Sequence, residues 1–265
     1  MVKKLPGRAY FHSACVSTAG FGVLFALLAS PAPAEPAWKQ LAPGVEFRLG
    51  WVNHKPAQLV HLLRFDPAQA RLAHLVAARK QTAGEFLKQS RALAVFNGGY
   101  FDRQGSPLGL LFAGRWIQKD AASGSAFGGM FSLIADQPSI HPIFQLSEPD
   151  YQALKNHRDL QFLVQCGPRL VADGELVEGL QKNTFVRRTA LGYDGQGKVW
   201  LLATAPHYGM SFPQLQQYVR HQLGLRWAMN LDGGSSTQCA LQGELENLGF
   251  SPLPFALGVF PRKTK

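Results

Sequence analysis

The sequence predicts an α+β protein with a mixed, mainly antiparallel β-sheet core and a few helices packed on it. Many short apolar segments end at Gly, Pro, Asp or Asn, as β-strands do when turns separate them. Only two segments carry clear helix start signals, and they lie far apart in the chain. Many strands with few, separated helices are typical of an α+β fold.

The predicted strands begin near Val45 and recur to the end of the chain. They are VEFRLGWV, AQLVHLLRF, RLAHLVA, LAVFNGG, GMFSLIA, DLQFLVQC, TALGYD, KVWLLATA, WAMNL and FALGVF. The stretch DGQGK at 194–198 predicts a hairpin turn between two of them. Residues 35–44 are rich in Pro and Ala and form a lead-in, and no linker divides the chain after them.

The two predicted helices both begin at a capping box. Thr82 and Glu85 form the first, directly before EFLKQS. Ser211 and Gln214 form the second, with a proline in the first turn. The second helix ends at Gly224 and is followed by the predicted strand WAMNLD.

The first 34 residues have the pattern of a signal peptide. A basic start, MVKKLPGR, precedes an apolar run that ends VLFALLAS and the small-residue exit Ala32-Pro33-Ala34. The uninterrupted apolar part, 19–29, is shorter than the roughly 20 residues that cross a bilayer. We therefore expect cleavage after Ala34 rather than a retained membrane anchor. The expected product is a single domain, residues 35–265, that is periplasmic or secreted and has no membrane span.

The formal net charge of +10 invites an anionic partner. The basic residues are scattered, however, and the sequence has no RNA-binding aromatic signature and no zinc-finger spacing. We therefore expect phosphate or acidic glycans, and no nucleic acid, as partners. The sequence also lacks His-x-x-x-His and Cys-x-x-Cys spacings, a P-loop and Gly-x-Ser-x-Gly. We expect neither a cofactor nor a metal, and the oligomeric state stays open.

A carboxylate follows the strand WAMNL in the stretch MNLDGGSSTQ at 229–238. Behind Asp232, Gly233 and Gly234 permit positive φ and the close approach of a ligand, and their N–H groups can form an anion-binding nest. Ser235 and Ser236 add short hydrogen-bond donors. The pattern indicates a pocket for a polar ligand that carries phosphate or sugar. The alternative is an ordinary Asp-Gly turn between strands.

The stretch FNGGYFD repeats this shape with an amide in place of the acid. The strand LAVF ends on Asn97, and Gly98 and Gly99 follow, then two aromatic residues. Such rings suit the face of a sugar, although they also suit a core. Asp102, at the end of the stretch, is a candidate second carboxylate or the cap of the turn that follows it.

Arg188 and Thr189 open the predicted strand TALGYD. A guanidinium matches the paired oxygens of a phosphodiester, and the alternative is a solvated surface arginine. Cys166 and Cys239 each lie beside a glycine-rich motif. An exported protein can keep a disulfide between them, and two buried free thiols are the alternative.

Taken in order, NGGYFD, CGPRLV, RRTALGYD, a capped helix and MNLDGGSST resemble the phosphodiester glycosidase domain over roughly residues 90–260. That family includes the lysosomal enzyme that removes N-acetylglucosamine from mannose-6-phosphate tags, and it has many exported bacterial members. Its motifs are met at Asn97–Phe101, Gly167–Pro168, Arg188–Ala190 and Asp232–Ser235. Relatives often have a third glycine where this chain has Ser235.

The resemblance implies an exported hydrolase that cleaves a sugar-1-phosphodiester on the glycosidic side. A phosphodiester leaves readily, so the reaction mainly needs a clamp for phosphate charge and a carboxylate at the anomeric centre. We assign Asp232 as the carboxylate, Asp102 as the second candidate and Arg188 as the clamp. The substrate would be oriented by Asn97, Thr189, Ser235, Ser236 and the glycine N–H groups of Gly98, Gly99, Gly233 and Gly234.

Two other functions stay open at this point. One is a non-catalytic glycan-binding protein of the periplasm or envelope, because a shared fold does not guarantee activity. The other is a related glycosidase that acts on glycosides without phosphate. The first would bind a glycan saturably without releasing sugar, and the second would not distinguish a phosphodiester from a plain glycoside.

Overall fold

A computed structural model of the protein describes residues 36–52, 58–143, 146–180, 184–245, 249 and 251–262. These residues fall in one unit that spans Ala34–Lys265. The predicted signal peptide, residues 1–34, lies outside the described residues. None of the helices in the described ranges is long and apolar enough to cross a membrane.

The described strands form three sheets with antiparallel pairing, and three short helices accompany them, which confirms the predicted fold class. Strands are numbered in chain order. Within each sheet they are given in spatial order, so that consecutive strands are hydrogen-bonded. The eight-stranded sheet contains β1 (Lys39–Ala42), β2 (Val45–Val52), β3 (Gln58–Phe65), β14 (Val199–Thr204), β13 (Thr189–Tyr193), β15 (Trp227–Asn230), β11 (Arg169–Ala172) and β12 (Glu175–Leu176). The five-stranded sheet contains β7 (Trp116–Gln118), β6 (Leu111–Ala113), β10 (Leu160–Cys166), β8 (Gly129–Ile134) and β9 (Gln137–Pro142). The four-stranded sheet contains β16 (Cys239–Leu241), β5 (Ala94–Asn97), β17 (Leu253–Pro261) and β4 (Ala70–Gln81).

Both predicted helix starts are confirmed. Thr82 caps α1 (Ala83–Gln89), and Ser211 caps α3 (Phe212–Gln217), each through a complete capping box. The chain continues beyond α3 as a single π-helical turn, Tyr218–Gln222. A third helix, α2 (Glu148–Lys155), was not predicted, because its capping box pairs Ser147 with an aspartate, Asp150, instead of the usual Glu or Gln.

One face of each sheet packs into a shared core, and a helix covers the opposite face. In β10, Phe162 and Val164 point into the shared core, whereas Leu163 belongs to the cluster that α2 closes. In β14, Leu201 faces the shared core and Leu202 faces α3. The remaining helix, α1, packs on the outer face of the four-stranded sheet. Burial on both faces explains why these antiparallel strands read as apolar runs.

The sheet topology brings four strand ends to one edge. Strand β15 ends beside the start of β13, because the two are antiparallel with Ala190 opposite Asn230. Strand β5 likewise ends beside the start of β16, with Phe96 opposite Cys239. The loop after β15 joins the two sheets, since the backbone N–H of Asp232 donates to Gly98 O at 3.2 Å. Both glycine turns of the sequence therefore lie at this edge.

His74 is a titratable side chain within the shared core. Its ring stacks on Phe162, with centroids 4.4 Å apart, and its Nε2 lies 3.1 Å from Leu163 O. A carbonyl only accepts, so Nε2 carries the proton of the neutral ring. Burial lowers the pKa of His74 to about 4, from the usual 6.5, and the Leu163 hydrogen bond opposes this only in part. Burial also lowers the pKa of His61 to about 4.

We expect the fold to lose stability as the pH falls from 6.5, the usual histidine pKa, to about 4, the pKa of His74 in the folded protein. Above pH 6.5 the ring is neutral in both states, and as the pH falls towards 4 only the unfolded chain gains the proton. His74 should therefore remove about 3 kcal/mol from the free energy of unfolding over this window, with the His61 contribution added. Urea unfolding at a series of pH values measures this. The His74→Gln variant, which still donates but does not titrate, should lose its share, and a flat wild-type profile would contradict the assignment.

Candidate active site

The side chain of Asn97 joins the two glycine turns. Its Nδ2 donates to the backbone O of Asp232 at 2.8 Å, across 135 positions of sequence. Its Oδ1 accepts from Thr189 Oγ1 at 2.6 Å and from the Gln238 N–H at 3.1 Å. One amide therefore ties the end of β5 to the loop after β15, the start of β13 and the approach to β16.

Asn97 and Thr189 lie beneath the site instead of facing a ligand. Asn97 is 1% exposed and Thr189 is fully buried. The polar atoms of the Asn97 amide and the Thr189 hydroxyl are committed to protein partners. The expectation that these side chains orient the substrate is therefore replaced by a positioning role, because a committed, buried group has no donor or acceptor to offer.

Gly98 and Gly99 are required for close packing. A Cβ on Gly98 would lie 3.0 Å from the ring of Phe255, and a Cβ on Gly99 would lie 3.3 Å from Val164 Cγ2. Both glycines are buried. Their missing side chains are thus explained by neighbours in the shared core, and the expected approach of a ligand at these two positions does not fit the structure.

The Gly233-Gly234 pair shapes the loop that carries the acid. A Cβ on Gly233 would lie 2.8 Å from Arg187 O, and Gly234 has a φ of +61° with open space around it. The N–H of Gly234 donates to Arg187 O at 2.8 Å, and the N–H groups of Ser236 and Thr237 also have backbone acceptors. These N–H groups are therefore used inside the protein, so the expected anion nest is not open to a ligand at these positions.

Asp232 is half-buried, and its carboxylate is held within its own loop. Oδ1 accepts from the Gly233 N–H at 2.8 Å, and the Ser236 hydroxyl also donates to the carboxylate. Burial raises the pKa of Asp232, and these two hydrogen bonds oppose the rise. Ser235, next to them, is exposed. The arrangement gives an oriented, partly desolvated acid at the surface of the site.

Arg188 is a buried cation without an acidic partner. It is 6% exposed, so the alternative of a solvated arginine is excluded. Nε donates to Met210 O at 2.9 Å, Nη2 donates to Thr184 O at 3.0 Å, and Cζ lies 3.9 Å from the centroid of the Phe212 ring. Within the described ranges no carboxylate pairs with it and Nη1 has no protein acceptor. Burial lowers the pKa of Arg188, as expected for a desolvated charge.

The pKa of Tyr100 responds to both the acid and the cation. Burial raises the pKa of Tyr100 well above its usual value, and the Asp232 carboxylate raises it further. Arg188 lowers the same pKa. The Tyr100 hydroxyl is therefore influenced by both Asp232 and Arg188.

Two polar residues of the site were not predicted from the sequence. Asn230 Nδ2 donates to Gly167 O at 3.1 Å, to Tyr100 Oη at 3.3 Å and to Leu231 O, while its Oδ1 is buried without a protein partner. Gln238 is fully buried beside Asn97. The available signal was a polar residue on each side of the LDGGSS turn, within otherwise apolar strands.

A small cavity of about 210 Å³ adjoins the site. Tyr100 and Phe212 line it, so it lies against the two rings that contact Gly167 O and Arg188. Pro168, which follows a cis peptide bond, forms part of its wall. The cavity provides space for a ligand beside Phe212, the ring that the Arg188 guanidinium contacts.

Asp102 has a local role. Its Oδ1 accepts from the Ser106 N–H at 2.8 Å, and its backbone O accepts from the Gly105 N–H at 3.0 Å. It therefore caps its own turn, which was one of the two alternatives for this residue. In the part of the chain that the structure describes, no hydrogen bond joins it to Asp232 or Arg188.

Cys166 and Cys239 are free, fully buried thiols. Burial is the main cause that raises the pKa of both, so each stays protonated at neutral pH. Of the two alternatives, a disulfide or two buried free thiols, this structure has the free thiols. Across the described residues, no group of three or more His, Cys, Asp or Glu side chains is placed to hold a metal ion.

Sequence comparison places the chain in a known family. Residues 90–260 match the sequence model of the phosphodiester glycosidase family, NAGPA. This span contains both glycine turns, Arg188 and the capped helix α3. The chain belongs to the phosphodiester glycosidase family. No curated protein matches the chain at a significant level.

Solved structures share the fold at low sequence identity. The zebrafish N-acetylglucosamine-1-phosphodiester alpha-N-acetylglucosaminidase catalytic domain, auto-inhibited by its pro-peptide, has a TM-score of 0.66 at 19% identity, covering 86% of this chain and 87% of that one. A hypothetical protein from Synechocystis has a TM-score of 0.61 at 18% identity, covering 86% and 64%. A Burkholderia pseudomallei K96243 protein with a provisional assignment as exported has a TM-score of 0.55 at 15% identity, covering 77% and 74%. These likenesses show the fold alone.

We expect Asn97→Ala to destabilise the protein strongly. It leaves three buried or partly buried groups unsatisfied, the Asp232 carbonyl, the Thr189 hydroxyl and the Gln238 N–H, and each costs about 1–3 kcal/mol. The free energy of unfolding should therefore fall by at least about 3 kcal/mol. Thr189→Val keeps the shape and removes one of these bonds, so it should cost about 1 kcal/mol. Urea unfolding measures both losses.

The double variant is the control for this assignment. Because both substitutions remove the same Thr189–Asn97 bond, the combined loss should be smaller than the sum of the single losses. Strictly additive losses would show that this bond does not couple the two turns.

Proposed function

We propose that the protein hydrolyses a sugar-1-phosphodiester between the anomeric carbon and the phosphate oxygen. Asp232 is the reactive carboxylate, and Arg188 binds the phosphate. The proposal refines the membership of a hydrolytic family, which does not by itself fix the substrate of this chain.

The observation that carries the proposal is the buried Arg188 without an acid partner. Burying a cation is costly unless an opposite charge compensates it, and two carbonyls and the Phe212 ring compensate it only in part. Its remaining nitrogen, Nη1, has no protein acceptor among the described residues. A phosphodiester anion beside the 210 Å³ cavity would complete the charge pair.

Asp232 suits the other half of the reaction. As the bond from the anomeric carbon to the phosphate oxygen breaks, positive charge develops on the sugar, and a partly desolvated carboxylate stabilises it. Water supplies the new oxygen at the anomeric carbon, and its proton passes to a base. The products are the free sugar and a phosphate monoester, which leaves as an anion and needs no general acid.

The neighbouring polar groups have supporting roles in this proposal. Ser236 and the Gly233 N–H fix the orientation of the carboxylate. Ser235 is exposed next to the acid, where its hydroxyl can contact the substrate. Asn97 acts indirectly, by holding the backbone of the acid loop at 2.8 Å.

We also propose that the protein is exported after removal of residues 1–34, and that residues 35–265 act in the periplasm or outside the cell. The basic, apolar and small-residue order of the first 34 residues supports this. A carbohydrate conjugate of the cell envelope or the exterior would then be the available substrate.

The Asp232→Asn variant tests the assignment. It keeps the size and the acceptor oxygen but removes the negative charge, so turnover of a sugar-1-phosphodiester should fall at least about 100-fold. The matched control is Asp102→Asn, whose amide oxygen can still accept from Ser106, and it should stay within a few-fold of the wild type. Circular dichroism confirms that both variants fold, and undiminished turnover by Asp232→Asn would remove the assignment.

The same turnover assay, extended to a panel of substrates, separates this function from a glycosidase without phosphate specificity and from a glycan-binding protein. Plain glycosides of the same sugars are assayed beside the phosphodiesters. Equal turnover of both substrate classes would indicate a glycosidase without phosphate specificity. Saturable binding without release of sugar would indicate a glycan-binding protein.

A further inference from the structure

A second, larger cavity of about 600 Å³ adjoins the small one. The two share the lining residues Ser125, Pro168 and Leu180. The two cavities are therefore contiguous, and neither Arg188 nor Asp232 is among the described lining residues of either. Its volume lies within the range of about 300–1,000 Å³ that is usual for ligand pockets.

The lining of the large cavity is mostly apolar. Side chains without polar atoms supply most of it, namely Ala121, Ala122, Ile143, Pro168, Val177 and Leu180. Arg169 is the one charged side chain among the described lining residues. Two serines add hydroxyls, which is a small number of hydrogen-bonding groups for a sugar ring. The surface favours an apolar group.

A phosphodiester carries a second group on the far side of the phosphate from the sugar. In the proposed function Asp232 faces the anomeric carbon and Arg188 the phosphate, and the small cavity is lined by Phe212, the ring that the Arg188 guanidinium contacts. We propose that the large cavity binds an apolar alkyl or aryl group on the far side of the phosphate. The substrates would then be sugar-1-phosphodiesters of an apolar alcohol. This inference rests on the proposed function, since it takes its direction from the roles of Asp232 and Arg188.

Binding of a simple phosphate monoester, the expected product class, tests the cavity without any turnover. Titration calorimetry compares octyl phosphate, below its micelle concentration, with methyl phosphate. We expect octyl phosphate to bind at least about tenfold more tightly, because burying several methylene groups is favourable. Equal affinities would overturn the inference.

Val177→Asp places a charge in the cavity wall and should reduce the preference for octyl phosphate to less than about threefold, with methyl phosphate unchanged. Ile143→Asn, at a second position of the wall, should act in the same direction. The matched control is Val76→Asp, because Val76 is 56% exposed and lies outside both cavities. An unchanged octyl preference in both wall variants, with circular dichroism like that of the wild type, would overturn the inference.

Hydrolysis separates this inference from the proposed function. The octyl and methyl esters of N-acetylglucosamine-1-phosphate are assayed with the wild-type protein. A higher kcat/KM for the octyl ester, lost in Val177→Asp, supports both proposals. Equal kcat/KM values overturn only the apolar site. No hydrolysis of either ester, together with a Val177-dependent octyl phosphate preference, counts against the hydrolytic role and leaves the cavity assignment in place.

Discussion

The site depends on one buried amide. Asn97 holds the backbone of Asp232 with its Nδ2 and the Thr189 hydroxyl with its Oδ1, and it is 1% exposed. These bonds fix the four-stranded sheet against the eight-stranded sheet at the edge where both glycine turns lie. Because each partner is itself buried or partly buried, losing the amide would leave several unsatisfied groups at once. The hydrogen bonds of Asn97 therefore position Asp232 and the start of β13, next to Arg188.

The two charges of the site are maintained in different ways. Arg188 is fixed by the carbonyls of Met210 and Thr184, so its guanidinium is oriented without a neutralising acid. Asp232 is fixed by short-range hydrogen bonds within its own loop, and burial raises its pKa. A cation and an acid that do not neutralise each other can both act on a ligand, since neither charge is consumed by a salt bridge. Such preorganised charge is the usual source of electrostatic stabilisation in enzymes.

Strand positions and helix starts follow from local sequence, because burial on both faces leaves continuous apolar runs and because capping boxes are local. Short strands such as β7 and β12 gave no such signal, and α2 begins at a capping box with an aspartate. The residues of the site were also visible as polar positions at strand ends. Their roles were not: Asn97 and Thr189 face inward because their partners come from distant segments, and Gly98 packs against Phe255. Asp102 was ambiguous because a carboxylate can cap a turn or act in a site. In the structure it caps its own turn.

The most direct test is a crystal structure of the Asp232→Asn variant with an intact sugar-1-phosphodiester bound. We predict phosphate oxygens at hydrogen-bond distance, about 3 Å, from Arg188 Nη1. We also predict that the anomeric carbon lies beside the side chain of residue 232. A ligand bound elsewhere, with Arg188 in contact with none of its atoms, would contradict the assignment of both charges.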